Sequence, residues 1–163
     1  MKERNKSGWM LDEKSHEMIL QKQIDYTIWA NGEWVQFISE RNLDHPKLLL
    51  TMSHILLSER VWLERIKGKI AQSEIWTTLP GSRLKEYFDQ SNKEYHLLLR
   101  DDLERVVTYK RFRGEEFHSS VADILIHLTN HGAHHRGQMA MITSSLNIRP
   151  LNTDYIQYCR LEK

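Results

Sequence analysis

His127-Leu-Thr-Asn-His131-Gly-Ala-His134-His135-Arg-Gly-Gln138 places four of the chain's nine histidines within a twelve-residue stretch. Apolar residues flank it: Val121, Ile124, Leu125 and Leu128 before, Met139, Met141 and Ile142 after. Their spacing has the period of a helix, not of a strand. Ser120-Val-Ala-Asp123 reads as a capping box, with Ser120 as N-cap and Asp123 favourable in the first turn. One helix is therefore expected over about 120–146. Ile124, Leu128, His131, His135, Met139 and Ile142 form one stripe on it, the side that should face a core. His131 and His135 stand one turn apart inside that stripe. Two imidazoles at this spacing can grip one metal ion. His127 and His131 share the spacing and form a competing pair.

The rest of the chain supplies partners for this helix. A first helix is expected over about 12–41, with Leu20, Ile24, Ile28, Asn31, Val35 and Ile38 as its inner stripe. Asn31 is the odd member, and a polar group there needs a partner, either a histidine or, as favoured here, the backbone. Trp29 and Trp34 flank the stripe as packing residues. Pro46 opens a second helix, about 46–68, closed by Gly68. His54 lies beside its apolar side, where it can supply a third imidazole to a shared interior. Glu59, Arg60, Glu64 and Arg65 read as a solvated or interface face with local ion pairs. The connection 69–81 ends in Leu79-Pro80-Gly81, and its Trp76 is expected to close over the end of the bundle. A third helix follows, about 83–103, with Ser82 as N-cap and His96 exposed.

The period then changes. Val106-Val-Thr-Tyr-Lys-Arg-Phe112 and Glu115-Glu-Phe117-His118, joined at Arg113-Gly114, read as a short β-hairpin with His118 at its edge. After the histidine helix, a loop through Pro150 leads to a tail helix at about 152–160, capped by Asn152 or Thr153. The expected fold is all-α: an antiparallel four-helix bundle with a short β-hairpin before the fourth main helix. Residues 1–163 form one domain, with 1–11 a flexible lead-in on which Trp9, Met10 and Leu11 can still dock.

Bulk properties exclude several classes. Net charge is +1, so nothing demands nucleic acid or an acidic membrane surface. No apolar run approaches the ~20 residues of a membrane-spanning helix, and the polar N-terminus lacks a signal-peptide core. Cys159 is the only cysteine, which excludes a disulfide framework and fits a reducing cytoplasm.

The run Asn130-His131-Gly-Ala-His134-His135-Arg136-Gly137-Gln138 resembles the signature of the DinB-like family of four-helix bundle proteins. Trp29-Ala30-Asn31, the segment His54 to Trp62, and Asn147 to Asp154 with Pro150 resemble other family segments, so the likeness runs from about 12 to 158. The resemblance implies a three-histidine metal site, with His54, His131 and His135 as ligands and His127 and His134 around them. It also implies a homodimer. Three neutral imidazoles leave a coordination position open. Imidazole suits several metals; zinc or nickel is the expected divalent ion. The family is similar to thiol transferases and thiol-dependent isomerases that use a low-molecular-weight thiol, which implies a small-molecule substrate and thiol transfer. Metal-assisted hydrolysis is the general alternative. No general base stands out; Glu59 and Asp154 merely flank the matching segments. The competing readings are a non-enzymatic stress-response binding module without DNA contact, and a dimeric structural module with a vestigial metal site. In the structural reading, Gly132 and Gly137 let another helix approach closely.

Overall fold

The computed structural model describes residues 13–71, 74–110 and 114–161. The expected lead-in and the Arg113 half of the expected turn lie outside these residues. Five helices and one hairpin follow in chain order: α1 Glu13–Glu40, α2 Pro46–Ile66, α3 Gly81–Leu98, β1 Val106–Lys110, β2 Glu116–Ser120, α4 Val121–Ser145 and α5 Tyr155–Leu161. No described helix is long and apolar enough to cross a membrane.

The three long helices stop in the same way. Behind α2, Gly68 (φ 70°) donates its N–H to the Arg65 carbonyl, and the Lys69 N–H reaches the Glu64 carbonyl. Asn42 (φ 47°) and Asn147 (φ 57°) occupy the matching place behind α1 and α4. Each is a left-handed residue closing a helix by backbone bonds to its last turn. The start of α4 is equally well secured. Ser120 Oγ accepts the Asp123 N–H, while the Val121 and Ala122 N–H groups donate to the carbonyls of Arg105 and Leu103. Three of its first N–H groups are thus satisfied. The expected capping serine is therefore in place, and it doubles as the last residue of β2.

Helix directions follow from contacts between named residues. Both α1 and α2 pack on α3 and α4. Gly32 faces Phe88, while Leu20 shares a groove with Leu103 beyond the end of α3, so α1 and α3 are antiparallel. Ser53 takes the Leu79 N–H, and Lys67 pairs with Glu94, so α2 and α3 run parallel. The connection between Ile66 and Gly81 is long because it must carry the chain back along the bundle. The helix α4 runs antiparallel to α2 and parallel to α1. The expected helical bundle with its hairpin is present, with consecutive helices α1 and α2 on a diagonal.

Some boundaries differ from expectation. The third helix ends at Leu98, before the turns at Asp101 to Arg105, and Pro80 rather than Ser82 is its N-cap. The tail helix starts at Tyr155. Asn152 instead accepts the Asp154 N–H just ahead of it. His96 and His118 are exposed, as expected. Trp29 packs against Tyr26 and Tyr158, and Trp34 is fully buried in the core.

The core falls into two apolar clusters. One contains Trp34, Ile38, Leu48, Met52, Leu84 and Met139; the other contains Leu20, Ile24, Leu63, Tyr95, Ile124 and Leu128. Burial of each such aliphatic side chain contributes about 1.5–3 kcal/mol. Between them every main helix carries buried polar residues: Thr27 and Asn31, Ser58 and Glu59, Ser91, and Thr129, His135 and Arg136. This polar belt crosses the middle of the bundle and holds the candidate site.

Candidate metal centre

Two helices bring the predicted histidines together. His54 projects from the middle of α2, and His131 and His135 project from successive turns of α4. One nitrogen from each ring lies within 4.8 Å of the others, with His54 Nε2 and His131 Nε2 3.1 Å apart. His127, the competing partner, stays outside: its ring centre is 5.8 Å from that of His131, and its edge meets Trp62. The α2–α4 contact brings His135, and not His127, against His54.

Hydrogen bonds aim the imidazoles. His54 Nδ1 donates to the Ile75 carbonyl at 2.9 Å, and His135 Nδ1 donates to Gln138 Oε1 at 2.8 Å. A protonated Nδ1 leaves Nε2 with a lone pair. Gln138 Nε2 in turn donates to His134 Nε2 at 3.0 Å. His134 therefore acts on the cluster through Gln138. Trp76 lies flat on His54 at 3.6 Å and 10°. It was expected over the bundle end; it covers the outer face of His54 and remains 59% exposed.

Burial lowers the pKa of His54, His131 and His135, and neighbouring imidazoles lower His131 further, to about 3. All three are neutral near pH 7, the form that ligates a metal. The donor set then fits a cation. Two nitrogens each ~2.0–2.1 Å from one tetrahedral ion stand about 3.4 Å apart, close to the His54–His131 separation. His131 Nδ1 is buried without a hydrogen-bond partner, and no charged side chain among the described residues bonds the three rings. The cluster could hold a metal ion as it stands.

A cavity of about 590 Å³ opens beside His54 and His131. Its walls include Trp62 and Arg65 from α2, Tyr109 and Phe117 from the hairpin, and His127 from α4. The hairpin is therefore part of the site: Tyr109 meets Trp62 edge to face at 4.9 Å.

Glu59 corrects the reading of this run as a solvated or interface face. Arg60 and Glu64 do form a surface pair at 3.2 Å. Arg65 instead lines the cavity, and Glu59 is 1% exposed. Residues 51–59 are all buried, because α3, α4 and residues 75–79 pack around this part of α2. Asn31 Nδ2 donates to Glu59 Oε1 at 2.8 Å, and Arg136 Nη1 donates to Asn31 Oδ1 at 2.7 Å. Asn31 is thus bound to side chains, not to the backbone or a histidine. Burial raises Glu59 to about 7, although Tyr95, Arg136, Ser91 and Asn31 all favour its charged form. Glu59 does not line the cavity, and Asp154 stands exposed ahead of α5. Neither flanking carboxylate reaches the histidines.

Gly132 also has a different neighbour from the expected one. A Cβ there would meet Arg136 Nη1 at 2.8 Å, so the glycine makes room for a side chain of its own helix. Gly137 faces open space.

Sequence reasoning missed three contributors. The Ile75 carbonyl carries no side-chain signal. Arg65 was hidden by the charge run around it. Gln138 was legible as the residue one turn after His135.

The family described as the DinB family matches residues 22–163. Protein DinB of Bacillus subtilis (strain 168) is 23% identical over 162 residues, covering 87% of this chain and 94% of the relative.

Proposed function

The chain belongs to the DinB family, and from that premise we propose that His54, His131 and His135 hold a divalent ion, zinc or nickel, in an open catalytic site. The observation that carries this reading is the convergence of three neutral imidazoles, two of them aimed by hydrogen bonds from Nδ1, beside a 590 Å³ cavity. Bound there, the metal would supply Lewis acidity and lower the pKa of a thiol or water brought to it. The protein's part is to keep the rings neutral and oriented. The Ile75 carbonyl fixes His54, Gln138 fixes His135, and Trp76 holds the His54 ring plane. The cavity admits a small substrate past Trp62 and Tyr109. Thiol transfer with a low-molecular-weight thiol is the preferred chemistry, and hydrolysis the alternative. Its location is taken to be cytoplasmic, where a lone Cys159 would stay reduced.

The test is a substrate panel, with small thiols paired with electrophiles and esters run separately, on metal-stripped and reconstituted protein. Turnover that disappears on stripping, returns with one metal and is absent in His131→Ala supports the reading. Thiol transfer or hydrolysis unchanged by stripping contradicts it.

We further propose a homodimer through α1 and α4. Met18, Ile19, Ile126 and Met141 are large, apolar and exposed on these neighbouring parallel helices. Light scattering over a wide concentration range should report twice the chain mass, and Ile126→Lys should halve it. A monomer throughout excludes the dimer.

A further inference from the structure

Among the described residues that line the histidine cavity, two carry a buried polar atom without a hydrogen-bond partner: His131 Nδ1 and Ser58 Oγ. His131 belongs to the imidazole cluster. Ser58 follows His54 by one turn of α2, on the same face, and is 5% exposed.

A helical serine or threonine can return its hydroxyl to a carbonyl of the preceding turn. Thr51 and Ser53 of the same helix do so, donating to the Lys47 and Leu49 carbonyls at 2.7 and 2.6 Å. Thr27 on α1 and Thr143 on α4 do the same. Ser58 makes no such bond. A single torsion sets where its oxygen points, and rotation about that bond moves it between staggered positions. A buried hydroxyl without a partner is costly, and an unmet donor is rarer than an under-used acceptor. What Ser58 lacks is therefore an acceptor, and a ligand in the cavity it borders can bring one.

The other walls set what carries that acceptor. Tyr109 and Phe117 are cross-strand partners in the hairpin, so both rings lie on the same face of it. They stack at 6.0 Å and 22°. With Val61 and Trp62 of α2 and Ile124 of α4 they bound a mainly apolar space of about 590 Å³. The hydroxyls of Tyr109 and Ser119 pair with each other at 3.3 Å. The charged walls, Arg65 and Asp123, are opposite in sign, so net charge favours neither an anion nor a cation. Aromatic walls suit a flat body.

We propose that this cavity binds an uncharged aromatic carbonyl compound, its ring against Trp62, Tyr109 and Phe117 and its carbonyl oxygen accepting the Ser58 hydroxyl. The carbonyl would lie about one helical turn from His54. The binding stands on the cavity alone; only the further step, that such a compound is the substrate, rests on the reading of the histidines as a metal centre.

The experiment follows backbone amide shifts of the full, metal-free chain by NMR during titration with three neutral probes. Acetophenone has the ring and the acceptor, ethylbenzene the ring alone, and cyclohexyl methyl ketone the acceptor without a flat ring. Each is added to wild type and to Ser58→Ala. Acetophenone should bind wild type most tightly of the three and shift amides around the cavity, on α2, the hairpin and α4. Ser58→Ala should weaken acetophenone about threefold to tenfold, the worth of one neutral hydrogen bond, and leave ethylbenzene unchanged. Urea unfolding of Ser58→Ala should come no earlier than that of wild type, because the hydroxyl removed has no partner in the fold.

Equal acetophenone affinity in the two proteins would overturn the site, as would no binding, or ethylbenzene bound by wild type as tightly as acetophenone. Shifts confined to amides away from the cavity would overturn it too. Cyclohexyl methyl ketone bound as tightly as acetophenone would overturn the aromatic requirement, and a less stable Ser58→Ala would show that the hydroxyl serves the fold instead. Ser58-dependent binding in a protein that takes up no zinc would sustain the carbonyl site while removing the metal reading.

Discussion

At the seam of α2 and α4, three imidazoles face one another beside an open cavity. One turn further along α2, Glu59 meets Asn31 and through it Arg136, with Tyr95 and Ser91 close by. Both groups belong to the same polar belt, yet they are finished differently. The Glu59 group bridges opposite charges: a carboxylate, an amide and a guanidinium, drawn from different helices, although Arg136 Nη2 has no hydrogen-bond partner. The histidine group gathers three neutral imidazoles with no carboxylate bonded to them among the described residues, and His131 Nδ1 has no hydrogen-bond partner. Opposite charges bridged across helices tie a fold together, whereas like imidazoles gathered without a counter-charge suit a cation. The first explains how the bundle keeps its helices in register; the second is the basis of the proposed metal site.

The largest effect should come from breaking the charge-bridging group. Glu59→Leu or Arg136→Leu alone leaves a buried charge without its counterpart, and each should cost about 3–5 kcal/mol in urea unfolding. The double variant should recover most of the loss. Equal losses in single and double variants would break the claim that these residues act as one unit.

The pH dependence separates the two groups by sign. Glu59 has a folded pKa of about 7, raised from 4.5, so the folded state holds its proton more tightly than the unfolded chain. That contribution is fully present below pH ~4.5 and is lost as pH rises through about 7, amounting to roughly 3 kcal/mol. The histidines carry lowered values and so favour folding as pH rises toward 6.5. Subtracting the Glu59→Gln stability profile from that of wild type isolates the glutamate. The difference should fall between pH 4.5 and 7. A flat difference would show that Glu59 titrates alike in both states.

A smaller effect is expected around the imidazole group. Gln138→Leu removes the acceptor that orients His135, which should weaken metal binding about tenfold to a hundredfold. Unfolding of the metal-free protein should barely change. Isothermal titration beside urea melts reads both, and a change in stability without a change in affinity would reverse the assignment.

The smallest effects belong to the glycines. Gly137→Ala should gain up to about 1 kcal/mol from helix propensity, since nothing lies within 4 Å of the new methyl. Gly132→Ala should lose the same order of stability, because it strikes the Arg136 guanidinium at 2.8 Å. Paired thermal melts decide it; the same sign in both would contradict the packing described.

These contrasts also mark what was legible in the sequence. The stripe through Ile124, His131 and Met139 exposed the histidine helix, because a buried face repeats with the helical period. The change of pattern at Val106 exposed the hairpin for the same kind of reason. Spacing alone left His127 and His135 as rival partners of His131. Only the approach of α2, or the family likeness, separates them. Glu59 was misread because a charged residue beside Arg60 and Glu64 has the local pattern of a surface. Its burial depends on how completely α2 is enclosed, and helical periodicity holds no record of that. The parallel run of α2 and α3 lies in the length of the connection after Ile66. Residue types along that connection do not reveal direction.

The most direct measurement is metal content by plasma mass spectrometry on untagged protein, before and after reconstitution, beside a His54→Ala/His131→Ala/His135→Ala variant checked for folding by circular dichroism. The expected result is close to one divalent ion per chain in wild type and none in the folded variant. Equal metal in both, or none in wild type after reconstitution, would contradict a metal centre at these three histidines.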